Sequence, residues 1–383
     1  MRSFGVLICS AWLSACTLFA PPAIEPVPPV GKPTPDFMLA SWSELPGWLN
    51  QQLSASWPAL QQSCSALRLK TLWLPICDAA KAVAPDDLLA QRTFYETWFT
   101  PYRVLNPDGT DTGLITGYYE PLLKGSRTRS ERFAYPVYAP PEDMLEVDMS
   151  ELFPELRGRI ARGRLEGKRV VPYFSRAEID AGKAPLEGKA LLWVENPVEL
   201  FFLQIQGSGR IELEDGTHVK IGYAAQNGHP YASIGRRLID MGELTPDQAS
   251  MQGIKAWAQK NPERLPVLLG YNPSYVFFRE LPDAISGPVG ALGVPLTNEY
   301  SIAVDRKTVP LGVPVFLATT QPNSAEPLNR LMFAQDTGGA IKGAVRADFF
   351  WGFGDLAGAK AGRMKQSGRM WILFPKGGEP TLN

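Results

Sequence analysis

The sequence predicts a mainly β protein with helices, of the mixed α+β class. Apolar residues recur at helical spacing before about residue 110, whereas from Leu114 onward short apolar runs are interrupted by Gly and Pro. Short strands with irregular, turn-filled links favour a small closed barrel over a sandwich. The length of 383 residues is enough to bury a sizeable core and favours two domains.

The chain begins with the pattern of an export signal. An apolar run over residues 4–13 leads into Leu13-Ser-Ala-Cys16, where small residues precede a cysteine. This start resembles a bacterial lipoprotein signal, which implies removal of residues 1–15, lipidation of Cys16 and, because Thr17 follows, sorting to the outer membrane. The alternative is an ordinary signal peptide with a chance cysteine. No later stretch is long and apolar enough to span a bilayer, so we expect an anchored protein.

The segment after the predicted anchor is rich in proline. Residues 21–35 contain seven prolines, which favours an extended polyproline tether over residues 16–36. Beyond Cys16 the only cysteines are Cys64 and Cys77, and an exported protein lies in an oxidising compartment. We therefore predict a Cys64–Cys77 disulfide, with two buried free thiols as the alternative.

Helical periodicity marks three segments. Apolar residues spaced by three and four between Leu45 and Leu60 predict a first helix. A second is predicted after Pro85-Asp-Asp, ending near Phe99. Thr245-Pro-Asp-Gln248 has the form of a capping box with proline in the first turn, which predicts a third helix running through Trp257.

Strands are predicted where apolar or β-branched runs lie between turn residues. The clearest signal is the alternating pattern on both sides of Asp215-Gly216, which predicts a hairpin over residues 210–223. The other predicted strands lie at residues 114–121, 169–174, 190–194, 300–305, 313–317, 331–334 and 369–374. We find no internal repeat.

The composition excludes two kinds of site. A formal net charge of −1 gives no basic surface for nucleic acid. His218 and His229 are the only histidines, so a His-rich metal cluster is excluded, and an Asp/His/Ser relay would have to use one of them. We expect no metal, no cofactor and chemistry based on Asp or Glu.

Two aspartates stand out near the C-terminus. Asp336 and Asp348 lie twelve residues apart among glycines, and three aromatic residues directly follow Asp348. Aromatic neighbours desolvate a carboxyl group and a nearby aspartate disfavours a second charge, so both raise the pKa of Asp348 and favour a general acid. For Asp336, and for Asp305 upstream, capping of a turn is an equal alternative.

Asp336-Thr337-Gly338 also matches the triplet of pepsin-like aspartic proteases, which use two aspartates that share a proton. That family needs the triplet twice, or a homodimer of short chains. Here the triplet occurs once in a long chain, so the sequence disfavours a protease.

Several ordered motifs resemble one known family. Three blocks, Ser301-Ile-Ala-Val-Asp305, Ala334-Gln-Asp336-Thr-Gly-Gly-Ala-Ile-Lys-Gly343 and Arg346-Ala-Asp348-Phe-Phe-Trp-Gly-Phe-Gly354, resemble the three-aspartate (3D) domain of the membrane-bound lytic murein transglycosylase A (MltA) family. Upstream segments resemble the same family in the same order: Gly117-Tyr-Tyr-Glu-Pro121, Gln204-Ile-Gln-Gly-Ser-Gly209, residues 222–235 and Asn272-Pro-Ser-Tyr-Val-Phe-Phe278. The resemblance covers residues 114–375, and several motifs in order are more specific than any one alone.

The resemblance implies a double-psi β-barrel into which a second β-rich domain is inserted, with a substrate groove between the two. On this basis, residues 37–121 hold the N-terminal helices and the first part of the barrel. Residues 122–276 form the insert, residues 277–376 the second part of the barrel, and residues 377–383 a tail.

The family cleaves the bond between N-acetylmuramic acid and N-acetylglucosamine in peptidoglycan without water, closing a 1,6-anhydro ring on the muramic acid. The resemblance places the family's catalytic aspartate on Asp348. That residue would protonate the leaving oxygen and then accept the proton of the sugar's own C6 hydroxyl. Asp305, Asp336, Lys342 and Arg346 would support it.

The upstream motifs carry amide, hydroxyl and aromatic groups that suit the hydroxyl and N-acetyl groups of sugars. Taken singly, turn or core roles are the alternative for each of them. The predicted substrate contacts are Tyr118, Tyr119, Glu120, Gln204, Gln206, Gly207, Ser208, Gly209, Tyr223, Asn227, Tyr275, Gly338 and Gly339.

We therefore expect an outer-membrane lipoprotein that faces the periplasm and acts on peptidoglycan glycan strands, with cell-wall synthesis complexes as further partners. Two alternatives stay open. One is a muramidase-type glycoside hydrolase, whose products would carry reducing ends. The other is a non-catalytic peptidoglycan-binding lipoprotein, although a binding module gains nothing from burying an acid.

Overall fold

The computed structural model describes residues 36–156 and 160–380. The predicted leader, the lipidation site Cys16 and the proline-rich tether up to residue 35 lie outside the described residues. Within the described part of the chain, no helix is long and apolar enough to cross a membrane.

The described strands and helices occur in successive groups along the chain. The strands are β1 (Asp36–Leu39), β2 (Phe99–Leu105), β3 (Gly113–Glu120), β4 (Leu122–Ser126), β5 (Tyr135–Tyr138), β6 (Leu145–Val147), β7 (Ala161–Glu166), β8 (Arg169–Pro172), β9 (Ala190–Val194), β10 (Ser208–Glu212), β11 (His218–Gln226), β12 (Val276–Glu280), β13 (Ser301–Val304), β14 (Pro314–Thr320), β15 (Pro327–Asp336), β16 (Ala347–Phe353) and β17 (Lys365–Pro375). The α-helices are α1 (Leu53–Leu67), α2 (Leu74–Lys81), α3 (Leu88–Trp98), α4 (Arg176–Asp180), α5 (Pro197–Gln206), α6 (Ile234–Asp240), α7 (Met251–Lys260), α8 (Leu265–Gly270) and α9 (Gly354–Ala361).

The first sheet closes into a barrel, as the sequence predicts. Its strand order is β1-β2-β17-β14-β15-β13-β16-β3, and β3 pairs again with β17. The ring therefore runs through β17, β14, β15, β13, β16 and β3. Two of its pairings, β13 with β15 and β16 with β3, are parallel, whereas its other pairings are antiparallel. A parallel pair needs a long crossover connection, so strands distant in sequence become neighbours.

The second region is an insert between β3 and β13. Its larger sheet has the order β12-β11-β10-β4-β9-β5, and β6, β7 and β8 form a small sheet beside it. The predicted hairpin is confirmed as β10 and β11, with Gly216 at φ 82° in the connecting turn. The insert extends through Glu280, because β12 pairs with β11. The predicted boundary at residue 276 therefore falls too early, whereas the boundary near residue 122 coincides with the start of β4.

Two helix predictions need correction. The first predicted helix is broken by Gly47, whose φ of 75° interrupts the pattern, so short 3-10 turns at Trp42–Glu44 and Trp48–Asn50 precede α1. At residue 245 the capping contact forms, with the Thr245 amide 3.1 Å from Gln248 Oε1, but only a turn follows. Helix α7 begins at Met251, where Ser250 caps it. The helix predicted after Pro85 is confirmed as α3.

Helices α1 to α3 pack on the barrel and fix one end of β15. The predicted Cys64–Cys77 disulfide is present and joins α1 to α2, with the two Cα atoms 5.4 Å apart. Gln335 is fully buried, and its amide donates to the Ala59 carbonyl (2.7 Å) and to Ser63 Oγ (3.0 Å) on α1. A buried amide with its donors satisfied holds its backbone firmly. The next residue along β15 is Asp336, which this anchor positions.

Candidate active site

Four neighbouring barrel strands each contribute one residue to a single row across the sheet. Asp336 on β15 is opposite Ala303 on β13, Ala303 is opposite Asp348 on β16, and Asp348 is opposite Thr116 on β3. Since neighbouring strands lie about 4.8 Å apart, the Cα atoms of the two aspartates are about 10 Å apart. Ala303 between them is buried and packs with Tyr118 and Phe350.

Asp348 is partly buried and has one hydrogen-bond partner among the described residues. Its Oδ1 accepts from Thr116 Oγ1 at 2.5 Å. Its Oδ2 accepts no hydrogen bond from the described residues and is not fully buried. Burial raises the pKa of Asp348, while the Thr116 hydrogen bond and the charge of Arg346 act in the opposite direction.

Asp336 has a different environment, with three donors directed at its carboxyl group. Oδ1 accepts from the amides of Ala291 and Thr337, both at 2.9 Å, and Oδ2 accepts from the Tyr118 hydroxyl at 3.0 Å. Burial raises the pKa of Asp336 to about 6, the three hydrogen bonds oppose this rise, and the nearby Asp348 adds to it. Both oxygens of Asp336 are occupied as acceptors, whereas Asp348 keeps one oxygen free.

Tyr118 and Tyr119 lie on opposite faces of β3, because side chains alternate along a strand. The Tyr118 ring packs on Phe350 with centroids 5.1 Å apart, and burial together with Asp336 and Asp348 raises its pKa. The Tyr118 hydroxyl, predicted to contact a sugar, donates to Asp336 in the structure. Tyr119 contacts Met251 Sδ at 3.5 Å and lies against Gly358 of α9, away from the aspartates.

The predicted supporting residues Asp305, Arg346 and Lys342 make different contacts. Asp305 accepts from the amides of Lys307 and Gly343, both at 3.1 Å, and so fixes the loop after β13. Arg346 donates to the Leu114 carbonyl (3.2 Å) and to Thr116 Oγ1 (2.9 Å). Lys342 is exposed and has no ion pair within residues 36–156 and 160–380.

Six of the predicted substrate-contact side chains are buried, including Tyr118 and Tyr119 described above. Glu120 is 1 % exposed, and Arg210 donates to its Oε2 from Nε (3.1 Å) and Nη2 (3.0 Å). Asn227 is fully buried, donates to the Phe174 and Pro273 carbonyls, and accepts from the Tyr275 amide. Gln204 and Tyr275 are 4 % and 2 % exposed, and Gln204 Oε1 has no hydrogen-bond partner among the described residues. These side chains therefore present little surface to a sugar.

The Gln204-to-Gly209 motif forms the end of a helix rather than a plain turn. Gln206 closes α5 and its Oε1 accepts from the Tyr119 amide at 3.1 Å, which joins the insert to β3. Gly207 ends the helix at φ 77°, the left-handed conformation that glycine favours. Gly209 is buried against Leu203 and Pro121, where a side chain would clash. The predicted contacts that keep some exposed surface are Gln206, Gly207, Ser208, Tyr223, Gly338 and Gly339.

Sequence reasoning missed two groups of the site. Thr116 bonds Asp348 across 232 residues of sequence, and the Ala291 amide bonds Asp336 across 45. Neither has a local signal. The one available clue is alternation along β3, which puts Thr116 on the same face as the predicted residue Tyr118.

A closed barrel that carries two carboxyl groups of unequal environment, with a β-rich insert beside it, defines a barrel protein with a carboxyl-based acid–base site. Two family models match the chain: "MltA specific insert domain" over residues 114–279 and "3D domain" over residues 300–374. The chain belongs to the membrane-bound lytic murein transglycosylase A family.

Individual relatives support this membership. Membrane-bound lytic murein transglycosylase A of Escherichia coli K12 is 37 % identical over 267 residues, which span 68 % of this chain and 65 % of that protein. MltA of Neisseria gonorrhoeae in its monoclinic crystal form is 42 % identical, with 92 % of this chain and 96 % of that chain covered and a TM-score of 0.80. E. coli MltA with bound chitohexaose is 30 % identical, with 84 % and 90 % covered and a TM-score of 0.66.

Proposed function

We propose that this protein is a lytic transglycosylase that cleaves the β-1,4 bond between N-acetylmuramic acid and N-acetylglucosamine in peptidoglycan and leaves a 1,6-anhydro end. The observation that carries the proposal is the inequality of the two carboxyl groups. Asp348 keeps Oδ2 free and not fully buried, whereas Asp336 accepts three hydrogen bonds. Family membership supplies the reaction class, because the aligned relatives carry the transglycosylase name.

In this reaction one carboxyl group takes part in two proton transfers, first as an acid and then as a base. Asp348 donates its proton to the glycosidic oxygen as the bond from C1 of the muramic acid breaks and positive charge develops on the ring. The resulting carboxylate accepts the proton of the C6 hydroxyl, and O6 bonds to C1. Asp348 is protonated again, the departing sugar keeps the first proton, and no water is consumed.

The environment of Asp348 fits both halves of this cycle. Burial raises the pKa of Asp348 and so favours the proton-bearing form that begins the reaction. Thr116 and Arg346 stabilise the carboxylate that forms midway. Asp336 stays nearby as a second carboxyl group whose oxygens are occupied, so it orients Tyr118 and the Ala291 loop instead of reacting.

The proposed substrate contacts are those with exposed surface. Gly338 and Gly339 follow Asp336 and Thr337 in the chain, and Ser208 and Tyr223 lie on adjacent strands of the insert. Tyr223 is 45 % exposed, which offers a flat face to a sugar ring. A relative that binds chitohexaose supports a sugar-binding role for this part of the fold.

We further propose an outer-membrane location, with the protein anchored through a lipid on Cys16 and facing the periplasm, where it would meet cell-wall synthesis complexes. The lipoprotein-like start of the sequence supports this location, as does the term "membrane-bound" in the names of the relatives. Palmitate labelling of the full chain in cells checks it, since Cys16→Ala should lose the label and the membrane association together.

The proposed reaction is tested by digesting purified sacculi and reading the products by mass. Wild-type protein should release muropeptides that end in 1,6-anhydro-muramic acid. Asp348→Asn should lose at least about 1,000-fold in rate while it still binds glycan strands, because its amide cannot give up a proton. Asp355→Asn, an exposed position on α9, is the matched control and should keep full activity.

The other outcomes separate the alternatives. Products with reducing ends would identify a muramidase-type hydrolase. Binding to sacculi without any shortening of the glycan would identify a non-catalytic clamp. Retained turnover in Asp348→Asn would remove Asp348 from the catalytic role.

A further inference from the structure

Oδ1 of Asp348 is held by a short chain of hydrogen bonds. Arg346 Nη2 donates to Thr116 Oγ1 at 2.9 Å, and Thr116 Oγ1 lies 2.5 Å from Asp348 Oδ1. Arg346 is itself fixed by the carbonyls of Leu114 and Ala347, at 3.2 and 2.5 Å. All these groups belong to β3, to β16 or to the residue just before β16, so the strand pairing sets their geometry.

The direction of these bonds follows from the chemistry of their groups. A guanidinium group has donors and no acceptor, so Arg346 must donate to Thr116. A threonine hydroxyl has a single hydrogen, which Arg346 cannot accept, and in the structure Thr116 donates it to Asp348 Oδ1. Oδ1 of Asp348 is then an acceptor and cannot hold the acidic proton in this arrangement. The proton belongs on Oδ2, the oxygen that accepts no hydrogen bond from the described residues.

We propose that Thr116, oriented by Arg346, is a positioning residue that keeps Oδ1 of Asp348 as an acceptor and so leaves the transferable proton on Oδ2. This inference rests on the proposed transglycosylase function. It assigns one oxygen to both proton transfers, since Oδ2 gives its proton to the leaving group and then accepts a second proton from the C6 hydroxyl.

Thr116 also stabilises the midpoint of the reaction. When Oδ2 has given up its proton, negative charge spreads over both oxygens, and the bond from Thr116 to Oδ1 becomes charge-assisted. Hydrogen bonds to an ionised carboxylate are about twice as strong as neutral ones. Because the donor is already in place, it needs no reorganisation when the charge develops.

Two variants at position 116 separate positioning from simple packing. Thr116→Val keeps the shape and removes the hydroxyl, so we expect kcat on sacculi or a defined glycan strand to fall by roughly 10- to 100-fold, the range for one hydrogen bond to a charged group. Thr116→Ser keeps the hydroxyl and should stay within about threefold of wild type. Thermal unfolding of both variants checks that each is folded.

The pH profile of kcat gives a readout that packing does not move. The Thr116 bond favours the charged form of Asp348, so its loss raises the pKa of Asp348, and the basic limb of the profile should shift to higher pH in Thr116→Val. The other ionisable groups that interact with Asp348 are Arg346, Asp336 and Tyr118, and both variants retain them. Thr116→Ser should keep the wild-type limb.

A double-mutant cycle that combines Thr116→Val with Arg346→Met tests the hydrogen-bond chain from Arg346 through Thr116 to Asp348. If Arg346 acts by orienting Thr116, the loss in the double variant should be well below the product of the two single losses. Independent effects, an unchanged kcat in Thr116→Val, or an equal loss in Thr116→Ser would each overturn the proposal. Failure of the proposed function is recognised separately, because wild-type protein would then yield no 1,6-anhydro ends.

Discussion

The barrel and the insert use their motif residues in opposite ways. In the barrel, Asp336 and Asp348 come together with Thr116 and Tyr118 at a carboxyl group that is not fully buried. In the insert, Gln204, Asn227 and Tyr275 are buried at 4 % exposure or less, as is Glu120 at the end of β3, where Arg210 of the insert binds it. Both sets resemble the same family in sequence, but only the barrel set converges on reactive groups.

This difference shows that motif residues of one chain serve two physical purposes. A buried polar side chain with all its bonds made inside the fold specifies geometry, because leaving it unpaired costs free energy. A partly exposed carboxyl group with one free oxygen is available for chemistry. The insert's motif residues specify the local geometry of the fold, and the barrel's motif residues include the carboxyl group to which we assign the proposed chemistry.

The largest expected effect concerns the claim that Glu120 is structural. Arg210→Met would leave the carboxylate of Glu120 buried without its arginine partner. We therefore expect the free energy of unfolding to fall by about 3 to 5 kcal/mol at pH 7. The matched control is Arg127→Met, which breaks the exposed pair with Glu280 and should cost no more than about 1 kcal/mol. Urea titration measures both.

Burial raises the pKa of Glu120, so the loss in Arg210→Met should be smaller at acid pH, where that carboxyl group takes up a proton. An unchanged free energy of unfolding combined with a raised KM would restore Glu120 as a substrate contact. That result would remove the contrast between the two regions.

The next effect concerns the barrel and depends on pH. Burial raises the pKa of Asp336 from its ordinary 3.8 to about 6, so the native state holds a proton that the unfolded chain releases. The stabilisation is complete below pH 3.8 and is lost as the pH rises through 6. Asp336→Asn cannot titrate, so its free energy of unfolding relative to wild type should increase by about 3 kcal/mol between pH 4 and pH 7.

The matched control for this pH effect is Asp215→Asn in the hairpin turn of the insert. Thr217 holds the pKa of Asp215 below its ordinary value, so this variant should lose stability relative to wild type as the pH rises, which is the opposite sign. Parallel curves for Asp336→Asn and wild type across this range would contradict the burial of Asp336.

The smallest expected effect concerns the open surface of the insert. Tyr223→Ala should raise KM for glycan strands about fivefold, since one aromatic contact contributes about 1 kcal/mol, and should leave the free energy of unfolding nearly unchanged. Tyr135→Ala is the control, because that residue is 39 % exposed on β5 at the far edge of the same sheet. Equal changes in KM for the two variants would show that Tyr223 has no special contact with sugar.

Local signals in the sequence predict much of the fold. Alternation, glycine turns and helical spacing give the hairpin, most barrel strands and α3, because these patterns act over a few neighbouring residues. The break at Gly47 and the turn before α7 were missed because a continuous apolar or capping pattern does not reveal where tertiary packing interrupts it. The end of the insert was missed because the pairing of β12 with β11 spans more than 50 residues.

The site was predictable only where its residues are close in sequence. The spacing of Asp336 and Asp348, together with the aromatic run after Asp348, indicates a carboxyl pair in a desolvated place. Thr116 reaches that pair through a parallel strand pairing that no local pattern encodes. The burial of Asn227 and Gln204 was equally hidden, since their residue types suit both a sugar and the interior of a protein.

The pairing of β3 with β16 and β17 has a consequence for the timing of activity. Asp348 on β16 is opposite Thr116 on β3, and these two strands lie far apart in the sequence. A nascent chain that emerges N-terminus first therefore contains Thr116 long before it contains Asp348. Barrel closure waits for the last strand. The proposed acid and its threonine partner are therefore brought together only when the chain is complete through residue 375, and the proposed activity stays latent until then.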